Sequence, residues 1–439
     1  MNESLALRST VTPLDGAEAY DQLVEMAGEA RVVLLGEASH GTHEFYEQRA
    51  LITRRLIDEA GFNAVAVEAD WPDAYRVNRY VTGIGDDRSP NEALSDFIRF
   101  PTWMWRNTDV TGFVGWLRNR NDAHAPERRA GFYGLDLYSL NGSIDAVLAY
   151  LDRVDPEAAR RARFRYGCFE DFAEDPQSYG YSAEFGLSEA CEREVIDQLV
   201  ELRSRAADYV DRAGRLAAGE YFFAEQNARR VKNAEEYYRS MFRGRDESWN
   251  TRDRHMAETL GELSAWLHAE YGRSRIVVWA HNSHIGDASK TESRARGELN
   301  LGQLARERHG AEAVLVGFTT YTGTVAAASD WGGPVETKRV RPALPESWEA
   351  LFHDVARPRF ALITRENSRV GDVLAGERLE RAIGVIYRPQ SERTSHYFRA
   401  DLVPQFDAVI HIGETRAVVL LERTAGWGVD MPETYPLGV

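Results

Sequence analysis

Histidines and carboxylates recur where four β-branched runs end. Arg31-Val-Val-Leu-Leu-Gly36 runs into Glu37 and His40, and Phe62-Asn-Ala-Val-Ala-Val-Glu68 is followed by Asp70. Arg129-Ala-Gly-Phe-Tyr-Gly-Leu-Asp136 ends in an acid, and Arg275-Ile-Val-Val-Trp-Ala-His281 is followed by His284. The chain has 11 histidines, so three of them at strand ends is more than scatter would give. Two chemistries use such a set. A neutral imidazole at His40 can take a proton from water as it attacks an ester or lactone carbonyl, with a carboxylate orienting the ring. Alternatively His40, His281, His284 and Glu37 or Glu68 can hold a divalent metal that acidifies its water. Arg49, one helical face on from His40, is a candidate cation for an oxyanion or a substrate carboxylate. Each residue also has a purely structural reading. Glu37 could favour the start of a helix near Thr42, Glu68 and Asp136 could be buried partners of arginines such as Arg49 or Arg76, and either later histidine could be a hydrogen-bonded core residue. In His281-Asn-Ser-His284 the rings face apart if the chain stays extended and converge if it turns after Asn282. His-Glu-x-x-His, Gly-x-Ser-x-Gly and phosphate-cradling glycine motifs are absent, and Ser39 ranks low as a nucleophile because it neighbours His40 in extended chain.

Positioning these residues requires parallel strands joined by helices, since open α/β sheets gather their ligands outside the carboxyl ends of the strands. A helix from Thr42 to about Ala60 follows the first strand, Gly61 stops it, and Pro72 opens another. From Pro156 to about Arg245 strand signals vanish and charged helical stretches take over, notably Glu189 to Arg215 and Glu220 to Arg243. The pattern predicts an α/β core in two parts, residues 1–155 and 246–439, around a helical insertion or lid at 156–245. A helix from Thr251 to Tyr271 opens the second part. Further strands are expected at Ala313 to Thr319, Gly323 to Ala328, Phe360 to Thr364, Ala382 to Tyr387 and Ala408 to Ile412, in a largely parallel or mixed sheet. The aromatic stretch with Trp103 and Trp105 could line a cleft or pack the core.

Composition narrows the partners. With 53 basic against 69 acidic residues the formal charge is -16, which repels nucleic acid and anionic membrane surfaces. The two cysteines, Cys168 and Cys191, exclude a disulfide framework. No leader or membrane-length apolar run is visible, so the cytoplasm is the expected location. The expected partner is a small-molecule ester or lactone, and the oligomeric state is left open.

Taken together, Gly36-Glu-Ala-Ser-His-Gly-Thr42 with Glu44, Phe45 and Arg49, Ala66-Val-Glu-Ala-Asp70, Phe132-Tyr-Gly-Leu-Asp136, Trp249-Asn-Thr-Arg-Asp-Arg254 and Trp279-Ala-His-Asn-Ser-His284 resemble the erythromycin esterase family in content and order. The resemblance implies a three-layer α/β/α core and ester or lactone hydrolysis, with a macrolide as one option. It implies that His40 is the general base and that Glu37, Glu68, His281 and His284 complete the polar site; no cofactor is expected, with a divalent metal as the open alternative. Arg49, Asp136, Arg252, Trp103 and Trp105 form the candidate substrate-binding set. A metal-dependent hydrolase or peptidase, and a non-catalytic small-molecule binding protein, are the alternatives.

Overall fold

The computed structural model describes residues 3–172, 176–211 and 215–422. Its strands are β1 (Thr12–Pro13), β2 (Val32–Leu35), β3 (Ala64–Asp70), β4 (Gly131–Asp136), β5 (Ile276–Trp279), β6 (Ala313–Ala327), β7 (Glu336–Val340), β8 (Arg359–Ile363), β9 (Arg378–Arg381), β10 (Tyr397–Ala400) and β11 (Ala408–Thr415). Nine of them form one sheet in the order β1-β8-β11-β6-β2-β5-β3-β4, with β7 paired to β6, while β9 and β10 pair separately. From β4 to β11 the strands are parallel. The far edge is antiparallel, β8 against β11 and β1 against β8, which makes the sheet mixed.

Side chains alternate between the two faces with the period of an extended strand. Val33, Leu35, Val65, Val67, Val277 and Trp279 join one apolar cluster with Phe45, Val77 and Phe113 of helices His43–Glu59, Trp71–Thr82 and Thr108–Asp122. Val32, Leu34, Ala64, Ala66, Ile276 and Val278 join another with Leu260, Leu301 and Phe352 of helices Arg245–Tyr271, Leu301–His309 and Trp348–His353. Helices therefore cover both faces of an α/β core.

A third apolar cluster, from Leu137 to Met241, belongs to the helices Leu140–Val154, Pro156–Tyr166, Pro176–Glu184, Glu192–Ser204, Ala206–Asp211 and Arg215–Ser240. The long helix expected from Glu189 is two helices, and residues 212–214 within it lie outside the described residues. Two cysteines make no framework, yet Cys168 and Cys191 are bonded to each other; the fold brings the turn Gly167–Phe172 beside the start of helix Glu192–Ser204, a proximity that the spacing alone does not reveal.

Two strand expectations change. Gly323 to Ala328 is the far end of the 15-residue β6 rather than a separate strand. Ala382 to Tyr387 joins no sheet and makes only isolated bridges, Ser39 with Ile383 and Ala328 with Ile386, because its apolar residues cover the cleft above the strand ends instead. Helix Arg245–Tyr271 also begins six residues before the expected Thr251. No described helix is long and apolar enough to cross a membrane.

Candidate active site

The four strands singled out by their ends are neighbours in the sheet, β2-β5-β3-β4. Their loops open on one side, and a cavity of about 290 Å³ lies there.

After β2 the chain turns through Gly36, where any Cβ would collide with the Asn282 side chain. Glu37 then reaches His40, with Oε1 2.9 Å from Nδ1. Its other oxygen accepts from Arg49 Nη2 at 2.8 Å. Arg49 is fully buried and lies over the rings of Tyr46 and Trp279, while the Tyr46 hydroxyl donates to the His40 carbonyl at 2.8 Å. Glu37 is thus a bridge between a fixed cation and the imidazole and does not cap the helix. Thr42 occupies the N-cap position, but its hydroxyl pairs with Ser39. With Nδ1–H directed at the carboxylate, the lone pair of His40 is on Nε2, and His40 lines the cavity.

Glu68 lies where the β3–β4 register shifts between Val67 and Asp70, the kind of irregularity that re-aims a side chain at a sheet end. Gly134 permits it, because a Cβ there would collide with the Ala69 and Asp70 carbonyls. Glu68 Oε2 accepts the His281 backbone N–H at 2.8 Å, and Oε1 accepts from Arg252 Nη2 at 2.7 Å. The chain does turn after His281, as the short helix Asn282–Ile285. The His281 ring comes to 4.8 Å from the His40 ring. Its Nδ1 accepts the Ser283 N–H at 3.2 Å, which leaves the proton on the buried Nε2. Burial, then the neighbouring His40, keep the ring neutral by holding its pKa well below the usual imidazole value.

His284 has the opposite setting. Its Nδ1 is 3.0 Å from both Asp253 oxygens, its Nε2 is 3.3 Å from Glu68 and 3.0 Å from Arg252 Nη1, and its ring stacks on Trp249. Burial opposes its charge, yet Asp253 and Glu68 outweigh this and push its pKa up to about 9. Against the same burial, His284 and then Arg252 hold the Glu68 carboxyl well below the usual range. Asp136 completes the cluster with a two-pronged contact to Arg252, at 3.0 Å to Nε and 2.6 Å to Nη2. The expected buried partner of Glu68 and Asp136 is therefore Arg252. Arg76 pairs with Asp87 and Asp96.

Of the sequence candidates, His40, Glu68, Asp70, His281, His284, Asp136, Arg252 and Trp105 line the cavity. Glu37 and Arg49 stand behind His40. Trp103 is turned into the core against Phe100. Asp70 takes the Ser139 N–H and an Arg99 contact, and Arg99 also joins Asp73. Sequence reasoning missed Arg99, Tyr138, Trp331 and Arg388, which complete the walls from loops without a motif. Asp253, in the Trp249–Arg254 stretch, is the partner of His284. For a metal, the set His40, His281, His284 and Glu37 fits poorly, since both Glu37 oxygens and both His284 nitrogens already have protein partners. Among the described residues no group of three His, Cys, Asp or Glu side chains is placed to hold one.

A family model described as erythromycin esterase matches residues 57–415. The chain belongs to the erythromycin esterase family. It is accordingly a hydrolase, although the matched stretch begins after the Glu37–His40 loop. The erythromycin esterase type II of Escherichia coli is 25% identical over 329 residues, 72% of this chain and 75% of that one. YbfO of Bacillus subtilis (strain 168), named provisionally as a hydrolase, is 23% identical over 368 residues, 79% of this chain and 78% of that one. Among solved structures, a succinoglycan biosynthesis protein superposes with a TM-score of 0.77 at 22% identity, covering 95% of this chain and 98% of that one. A histidine-to-asparagine mutant of the erythromycin esterase EreC in its open conformation gives 0.67 at 17% identity, covering 92% and 95%. These two likenesses establish the shared three-layer fold.

Proposed function

We propose that this erythromycin esterase family member hydrolyses a carboxylic ester or lactone, with His40 as the general base. The observation that carries this reading is the chain Arg49–Glu37–His40, which fixes one imidazole nitrogen and leaves the other basic and facing the cavity. Water at Nε2 loses its proton to the ring as it attacks the carbonyl carbon, and Glu37 stabilises the imidazolium that forms. The neutral His281 Nε2–H beside it supplies a donor for the developing oxyanion. His40 then returns its proton to the leaving alkoxide, giving acid and alcohol. Glu68, held by Arg252 and His284, positions His281 through its backbone N–H.

The aromatic walls, Phe97, Phe100, Trp105 and Trp331, suit a substrate with substantial apolar surface. A macrolide lactone is one member of that class. The test is hydrolysis of a panel of aryl esters, alkyl esters and lactones by the wild type and by His40→Asn, with circular dichroism to verify the fold. The expected result is turnover of at least one ester or lactone, lost in the variant. An unchanged rate in a folded His40→Asn would remove His40 from this role, and a rate that falls with chelators would point to a metal instead.

A further inference from the structure

Val340, which ends β7, packs with Val325, Ala327, Ile383 and Tyr387 in a small apolar cluster. This contact sets the basic run Lys338-Arg339-Val340-Arg341 beside the chain from Tyr387 to Gln390, and a pocket of about 440 Å³ lies between them. The pocket shares one wall residue, Arg388, with the catalytic cavity. Four cations line it, Lys338, Arg339, Arg341 and Arg388, against one carboxylate, Glu336. In a chain of formal charge -16 such a grouping reverses the local field and draws anions.

Two of the four cations have acidic partners. Lys338 Nζ is 3.5 Å from Glu336, and Arg388 pairs with Asp330. Arg339 and Arg341 have no carboxylate at ion-pair distance among the described residues. The Arg341 guanidinium makes one hydrogen bond, from Nη1 to the Pro389 carbonyl at 3.0 Å, and its other N–H groups take no protein acceptor. The frame beneath is held in advance. The Arg341 N–H donates to the Tyr387 hydroxyl at 3.3 Å, and its carbonyl accepts from the buried Arg381 at 2.8 Å. Lys338 Nζ donates to the Tyr387 carbonyl at 2.9 Å, and Arg388 Nε to the Ser329 carbonyl at 2.8 Å. Cations tied to the framework before a ligand arrives lose less freedom when it binds.

The charge that remains selects the ligand. With the two ion pairs set aside, Arg339 and Arg341 leave two positive charges, and a phosphate monoester carries about −1.5 to −2 near pH 7. Guanidinium groups also match phosphoryl oxygens two at a time. A carboxylate ligand would leave one of the two charges uncompensated. A long polyanion such as RNA would run from this pocket onto a surface of the opposite preference.

We infer that this pocket is a phosphoryl-binding site that takes a small phosphate monoester. It requires nothing from the hydrolytic reading of the cleft, and no step of that reaction uses it.

Titration calorimetry on the full chain tests it, at low ionic strength and about pH 7.5, with phenyl phosphate as the probe and benzoate as its singly charged counterpart. Saturable binding of phenyl phosphate is expected, with benzoate at least about tenfold weaker. Arg341→Gln should weaken phenyl phosphate about tenfold, and adding Arg339→Gln should abolish binding. Arg160→Gln, which removes a charge paired with Glu157 on the helical insertion, should change nothing. Arg339 and Arg341 line this pocket and not the catalytic cavity, so an anion seated beside Arg99 or Arg252 would survive the double variant. Circular dichroism verifies each fold; if Arg341→Gln does not fold, the exposed Arg339→Gln alone should weaken binding several-fold. No binding of phenyl phosphate, benzoate bound equally well, binding kept in the folded double variant, or equal weakening by Arg160→Gln would overturn the site. Each of these outcomes is independent of what His40→Asn does to hydrolysis.

Discussion

His40 and His284 are both buried, and both hold a carboxylate about 3 Å from Nδ1, yet they stand at opposite ends of chemical usefulness. Glu37 is committed to His40 on one side and to Arg49 on the other, and it leaves the far nitrogen of His40 free towards the cavity. At His284 the far nitrogen is also occupied, by Glu68, and the two carboxylates, Asp253 and Glu68, keep the ring charged. In the proposed mechanism one imidazole is the base, with a lone pair to use. The other is a cation that braces the carboxylate positioning His281. A histidine beside an acid at a strand end is therefore not enough; an uncommitted nitrogen separates a catalyst from a brace.

The comparison can be broken most severely at its centre. His40→Asn should reduce kcat by about 10²- to 10⁴-fold, the usual worth of a positioned base, with the melting temperature little changed. Glu37→Gln keeps the shape but loses the charge that supports the imidazolium, and kcat should fall about 10²-fold with the pH profile displaced. Asp253→Asn should act on stability instead. Removing one partner of a buried pair typically costs about 3–5 kcal/mol, read as a lower midpoint in urea, while kcat of the folded fraction changes far less than in Glu37→Gln. If Asp253→Asn is catalytically as damaging as Glu37→Gln, the division between base and brace is wrong.

The same division has a signature in pH. The folded state binds the His284 proton more tightly than an ordinary histidine would, so its contribution to stability is fully present below about pH 6.5 and declines as pH rises through about 9. His396 runs the other way. Burial pushes its pKa down to about 4, so its contribution is present above about pH 6.5 and is lost as pH falls through 4. Urea midpoints from pH 5 to 10 should show an alkaline decline that His284→Gln flattens. The smallest effect expected is at the walls: Trp105→Ala should raise KM several-fold with kcat nearly kept, whereas Trp103→Ala, in the core, should leave KM alone and cost about 3–5 kcal/mol of stability.

Much of this was legible in the sequence because the strands β2 to β5 are short apolar runs with chemistry at one end, and period-2 patterning declares which residues enter the sheet. The polar rim could therefore be named before any coordinates. What stayed hidden depends on distance along the chain. Arg252 meets Glu68 across 184 residues and Asp136 across 116, and no periodicity reports such a meeting. Ala382 to Tyr387 has strand composition but covers the cleft, because apolar content does not tell an edge partner from a wall. Arg49 carries the charge of an oxyanion cation, yet its helix turns it inward to Glu37 and two aromatic rings.

The most direct test of the central claim is chemical rescue. His40→Gly and His284→Gly are assayed on the same ester with and without free imidazole. The account predicts that imidazole restores a substantial part of the activity to His40→Gly, where an uncommitted base is missing, and none to His284→Gly, where a brace is missing. Equal rescue of both variants, or a His40→Gly enzyme that needs none, would contradict it.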